Sequence, residues 1–145
     1  MDSNEEFYNK FPIVLAQKLR DGDLTFPDNM EVEYEPIHVY RVIEREDGDD
    51  HPVDHLDFRS YFELKKKPKN PRGVSSNYMS NPHYYGVSSF KSRAMVEQKR
   101  LFPHPRKKLA EGEVYMEAGP QETTEEHVCW WLYKNVEIKG FNIME

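Results

Sequence analysis

The sequence of 145 residues predicts an α+β fold, a single domain (1–145) in which two to three helices cover one mixed or antiparallel sheet. Three observations carry this expectation. An apolar stripe at helical spacing opens the chain, a strand with alternating faces follows, and the last third breaks into short β-type runs punctuated by Gly and Pro. The length suits one domain with a real core. An aromatic share of 13% argues against wholesale disorder, because disordered chains lack the large apolar side chains that offset ordering entropy.

The first helix is expected over about 4–20. Ser3 and Glu6 stand at capping-box spacing, and Phe7, Phe11, Val14, Leu15 and Leu19 recur at helical intervals. Pro12 removes a backbone donor, so the helix kinks or begins there, and Asp21-Gly22-Asp23 closes it. PIHVYRVIER (36–45) reads as a strand. Ile37, Val39, Arg41 and Ile43 share one face; His38, Tyr40, Val42 and Glu44 share the other. Arg41 therefore sits among aliphatics and needs a carboxylate, a bound anion or an escape to water.

An acidic loop (44–57) leads to a helical segment expected at about 57–66, with Asp57 as its N-cap. A basic, loop-rich segment follows at about 63–83, rich in Pro, Asn and Ser. YYGVSSF (84–90) predicts a short strand, and Ser92 caps a helix over about 92–102 that Pro103 and Pro105 stop. LAEGEVYME, HVCWWLYK and GFNIM then predict antiparallel strands around a turn at Gly119-Pro120. In HVCWWLYK, Val128, Trp130 and Leu132 alternate with His127, Cys129, Trp131 and Tyr133. Both faces are apolar, so this strand should be central and covered on both sides, with Cys129 a small core residue.

No apolar run approaches the roughly 18–20 residues that cross a bilayer. The acidic start lacks the features of a signal peptide, and one cysteine cannot form an internal disulfide. These features predict a cytoplasmic protein with no membrane association.

The net charge of −6 hides a strong segregation. Residues 1–58 carry 5 Lys/Arg against 16 Asp/Glu, 59–108 carry 13 against 2, and 109–145 carry 2 against 8. The basic middle contains Lys65, Lys66, Lys67, Lys69 and Arg72, then Lys91, Arg93, Lys99 and Arg100, then Arg106, Lys107 and Lys108. Tyr61, Tyr78, Tyr84, Tyr85, Phe90 and Phe102 are interleaved. Cations neutralise phosphates while aromatic faces stack bases, so the mixture points to an anionic partner such as nucleic acid or a nucleotide. The same surface suits an acidic protein, and internal neutralisation by the flanking acidic segments is the structural alternative.

His51, Asp54, His55 and Asp57 are candidate metal ligands if the segment forms a helical turn, although acidic loops are usually just solvated. No cofactor is predicted. The order Arg41, then Ser88-Ser89-Phe90, then Glu111-Gly112-Glu113 resembles ADP-ribosyltransferases, whose motif runs Arg, then Ser-Thr-Ser, then Glu-x-Glu. That resemblance implies Arg41 and Ser88 holding a dinucleotide and Glu113 supporting an oxocarbenium; Ser89 and Phe90 depart from the pattern. A second series, YGVSSF, LAEGEV, AGP and HVCWWLY, resembles small uncharacterised bacterial and phage proteins with a YGVS…GP…HV-x-W-W-x-Y pattern. It covers about 84–133 and implies no functional residue. The leading expectation is a small binding protein for an anionic partner. A protein-interaction inhibitor or immunity-like protein, and an NAD-using transferase, are the alternatives.

Overall fold

The opening apolar stripe is delivered in two pieces. In the computed structural model, which describes residues 3–45, 51–54, 57–60, 63, 81–98, 102–103 and 105–144, α1 spans Ser3–Tyr8 and α2 spans Ile13–Arg20. Pro12 takes the N-cap position of α2, where its missing N–H costs no helical hydrogen bond, and its carbonyl accepts from the Ala16 amide at 2.9 Å. The restart shifts the helical phase. Val14 was expected on the apolar stripe and is instead 42% exposed, while Phe11, Leu15, Ala16 and Leu19 are buried. Gly22 closes α2 at φ +76, a conformation that Cβ-bearing residues rarely adopt.

Among the described residues six strands form one antiparallel sheet: β1 (Ile37–Glu44), β2 (Val87–Phe90), β3 (Lys107–Val114), β4 (Gln121–Thr123), β5 (His127–Trp130) and β6 (Asn142–Ile143). Their order is β4-β5-β2-β1-β3-β6. β1 and β3 pair along their full length, from Ile37↔Val114 to Glu44↔Lys107. β1 and β2 share the single register pair Tyr40↔Phe90. Two three-stranded halves thus meet at one point. A third helix, α3 (Arg93–Gln98), packs against β1 and β2 and begins with Ser92 Oγ accepting from the Met95 amide at 3.2 Å.

Each face of the sheet has its own core. Val39, Ile43, Val87, Ala110, Val114, Val128 and Trp130 pack with Phe58 and Phe141 on the first. Cys129 and Trp131 on the second join Phe11, Leu15, Leu19, Leu24, Tyr84 and Tyr85 beneath α1 and α2. The alternation in HVCWWLY places Val128, Trp130 and Leu132 in one cluster and Cys129, Trp131 and Tyr133 in the other, so from Val128 on the segment is covered on both faces as its sequence predicts, while His127 at the start of β5 belongs to neither cluster and is half-buried.

Asp57 does not cap a helix. Its two carboxylate oxygens each accept from Arg45, Nη1 to Oδ1 and Nη2 to Oδ2, both at 2.7 Å, and Oδ2 also accepts from the Asp54 amide at 3.0 Å. The capping box falls three residues later: Ser60 Oγ accepts from the Glu63 amide and Glu63 Oε1 from the Ser60 amide. The remainder of the expected 57–66 helix, and most of the basic loop-rich segment, lie outside the described residues.

Candidate binding face

The second face of the sheet carries a row of side chains at one level. Register places His127 beside Phe90, Phe90 beside Tyr40, Tyr40 beside Glu111, and Glu111 beside Asn142. Neighbours in such a row are about 4.8 Å apart, and residues two apart along a strand share a face. His38 therefore stands on the same side as Tyr40, with ring centroids 5.1 Å apart and planes at 81°. Phe90 meets His127 edge to face at 5.7 Å. Tyr40, Phe90 and His127 are half-buried and His38 is exposed, so four rings reach solvent across three strands.

Polar contacts hold the ends of this row. His38 Nε2 lies 3.1 Å from Glu111 Oε2, and His127 Nε2 is hydrogen-bonded to the exposed Ser88 hydroxyl. One level along, Ser88, Cys129 and Glu122 stand side by side on β2, β5 and β4. His83 reaches over from the 3-10 turn Pro82–Tyr85 to place Nε2 2.5 Å from Glu122 Oε1. Asn81 Oδ1 accepts from the His83 amide and lies 3.0 Å from Nδ1, which fixes the ring. Between these groups Cys129 is buried. Burial pushes its thiol well above the ordinary range, with the nearby Glu122 charge adding to the effect, so it stays a protonated core residue.

The structure separates residues that the sequence analysis grouped. Tyr84 and Tyr85 are 7% and 6% exposed and pack edge to face in the core beneath α1 and α2; a base cannot stack on them. Burial pushes the Tyr85 hydroxyl pKa up. Lys91 and Arg93 are exposed just beyond β2, the latter beside Glu97. Since Phe90 pairs with Tyr40, Lys91 is level with Val39, whereas Lys107 pairs with Glu44. Arg106, Lys107 and Lys108 therefore lie roughly 17 Å away along the sheet, at about 3.4 Å per residue. These two basic groups do not form one patch. Lys65, Lys66, Lys67, Lys69, Arg72, Lys99, Arg100, Tyr61 and Tyr78 fall outside the described residues.

The transferase-like trio is only partly gathered. Arg41 Nη1 donates to the Ser88 carbonyl and Nε to the Asp57 carbonyl at 2.7 Å, with its guanidinium 5.4 Å from the Phe58 ring centroid. Glu113 pairs with His38, so its side chain leaves the opposite face of the sheet from Arg41. His51 is exposed and its carbonyl accepts from Arg45, while His55 lies outside the described residues. Asp57 is held by Arg45. Among the described residues no group of three or more His, Cys, Asp or Glu is placed to hold a metal ion.

Sequence reasoning missed β4 and the cross-strand row. His38 and Tyr40 were visible as one strand face, but their neighbours come from β2, β3 and β5, and register alone joins them. No family model, curated protein or solved structure matches the chain. Among the described residues no helix is long and apolar enough to cross a membrane.

Proposed function

We propose that the protein is a small cytoplasmic binding module for a phosphate-bearing, base-bearing anion: single-stranded nucleic acid or a nucleotide. The observation that carries this reading is the His127–Phe90–Tyr40 row with His38 beside it. Rings displayed across neighbouring strands offer planar surfaces to bases, and a sheet holds them with little entropy left to lose. Lys91 and Arg93 follow Phe90 in the chain and are exposed, so they can meet phosphates. Glu111, beside Tyr40 in the row, supplies an acceptor for an exocyclic amino group.

Fluorescence anisotropy with short labelled single-stranded RNA and DNA, and with free nucleotides as competitors, tests this at low salt. Phe90→Ala and Tyr40→Ala should each weaken binding about 5- to 150-fold, matching roughly 1–3 kcal/mol per stacked base. Tyr85→Ala serves as the contrast: it is a core change and should lower the melting temperature. Binding that survives both Phe90→Ala and Tyr40→Ala, or a stoichiometric acidic protein as the sole ligand, would overturn the assignment.

A further inference from the structure

The contact between Ser88 and His127 is not needed for stacking, and it has the first requirement of covalent catalysis. A serine hydroxyl is a poor nucleophile until a base takes its proton, and a base does so only from hydrogen-bond distance. Here the two side chains come from neighbouring strands on one face, and Ser88 Oγ is bonded to His127 Nε2. Both are anchored from behind. Ser88 pairs with Cys129 and its carbonyl is held by Arg41; His127 pairs with Phe90, whose ring edge meets the imidazole. Ser88 itself is exposed, so an electrophile can reach it.

We infer that Ser88 is a nucleophile activated by His127, acting on carboxylic esters whose planar leaving group lies against Phe90. Ser88 Oγ bonds to the carbonyl carbon as its proton passes to His127 Nε2. The carbon–oxygen bond to the leaving group then breaks, and the imidazolium returns the proton to the departing alcohol. Water, deprotonated by the same imidazole, hydrolyses the acyl-serine and restores the pair. General-base assistance alone contributes about 10²- to 10⁴-fold, so acylation of Ser88 is a surer readout than rapid turnover. This inference does not rest on the nucleic-acid reading, and either can fail without the other.

The test treats the full chain with p-nitrophenyl acetate and, separately, with an alkyl fluorophosphonate, and reads the modified residue by peptide mass spectrometry. The fluorophosphonate forms an oxygen–phosphorus bond at Ser88 as fluoride leaves. Wild type should be labelled at Ser88 well ahead of Ser92. His127→Ala and His127→Gln should both slow labelling at Ser88 at least about 100-fold while melting as folded proteins. Ser88→Ala should abolish the adduct. Labelling of Ser88 no faster than Ser92, or unchanged by both His127 substitutions, would overturn the inference.

Discussion

Arg45→Ala should destabilise the protein by about 3–5 kcal/mol, the usual cost of leaving a buried charge without its partner. Arg45 and Asp57 are 1% and 8% exposed at their side chains, and the guanidinium also donates to the carbonyls of Glu44, His51 and Pro52. One side chain thus ties the end of β1 to the 51–57 loop. Removing it strands the Asp57 carboxylate and three carbonyls at once. In thermal melts the loss should appear as a fall of about 10–20 °C. Arg45→Met, which fills the space without a charge, should cost as much unless Asp57 is also made apolar.

The same pair sets an acid limb on stability. Burial alone would push the Asp57 carboxyl up, but the Arg45 hydrogen bonds, the Asp54 amide and the charges of Arg45 and His51 together hold it below its usual value near 3.8. A carboxyl lowered in the folded state stabilises above its unfolded value and loses that contribution as pH falls through the folded one. Wild type should therefore lose stability below about pH 4, and Asp57→Asn should flatten that limb while lowering stability at neutral pH. Denaturant midpoints across pH 2–7 check both.

Trp130→Ala is expected to cost about 3–5 kcal/mol, the range for deleting a large aromatic side chain from a packed core. Trp130 is fully buried, contacts Phe58 at 6.1 Å and Tyr115 at 5.4 Å, and donates Nε1 to the Gly119 carbonyl at 3.2 Å. That carbonyl also accepts from Tyr34 at 2.6 Å, so the indole holds both a core and a turn. Gly119 at φ +151 has no room to adjust: a Cβ there would sit 1.9 Å from the Trp131 carbonyl oxygen. Trp130→Phe keeps an aromatic ring and loses the hydrogen bond, and should recover more than half of the loss. Against a total stability of about 5–15 kcal/mol, Trp130→Ala should leave a measurable unfolded fraction at 37 °C.

These predictions differ in how much of their basis was legible in the sequence. The period-2 alternation of HVCWWLY was enough to sort Trp130 and Trp131 into separate cores, because a strand has two faces whatever its neighbours. Pro12 marked the break between α1 and α2 for a similarly local reason. Arg45 was not legible. Arg41 drew attention because aliphatics surround it in sequence, yet Arg45 is the more deeply buried cation, at 3% exposure, and its carboxylate stands twelve positions on. β4 was hidden because Gln121-Glu122-Thr123 looks like turn chemistry. Gln121 is nevertheless fully buried, with its side-chain amide donating to Glu31 Oε1 at 2.7 Å and its backbone bridging the same distant residue. The candidate face was half legible. His38 and Tyr40 could be assigned to one side of β1, but the row needs the Tyr40↔Phe90 and Phe90↔His127 registers, which arise from long-range pairing.

Lys91→Ala combined with Arg93→Ala, compared with Lys107→Ala combined with Lys108→Ala, tests the proposed binding face most directly. The quantity to measure is the salt dependence of affinity for a single-stranded oligonucleotide. Each cation that neutralises a phosphate contributes about 0.7 to the magnitude of the slope of log affinity against log salt on a single strand. The first pair follows Phe90 in the chain and should lower that magnitude by about 1.4; the second lies roughly 17 Å away along the sheet and should leave it unchanged. An unchanged slope for Lys91→Ala with Arg93→Ala, or an equal fall for both pairs, would contradict the placement of the ligand on this face.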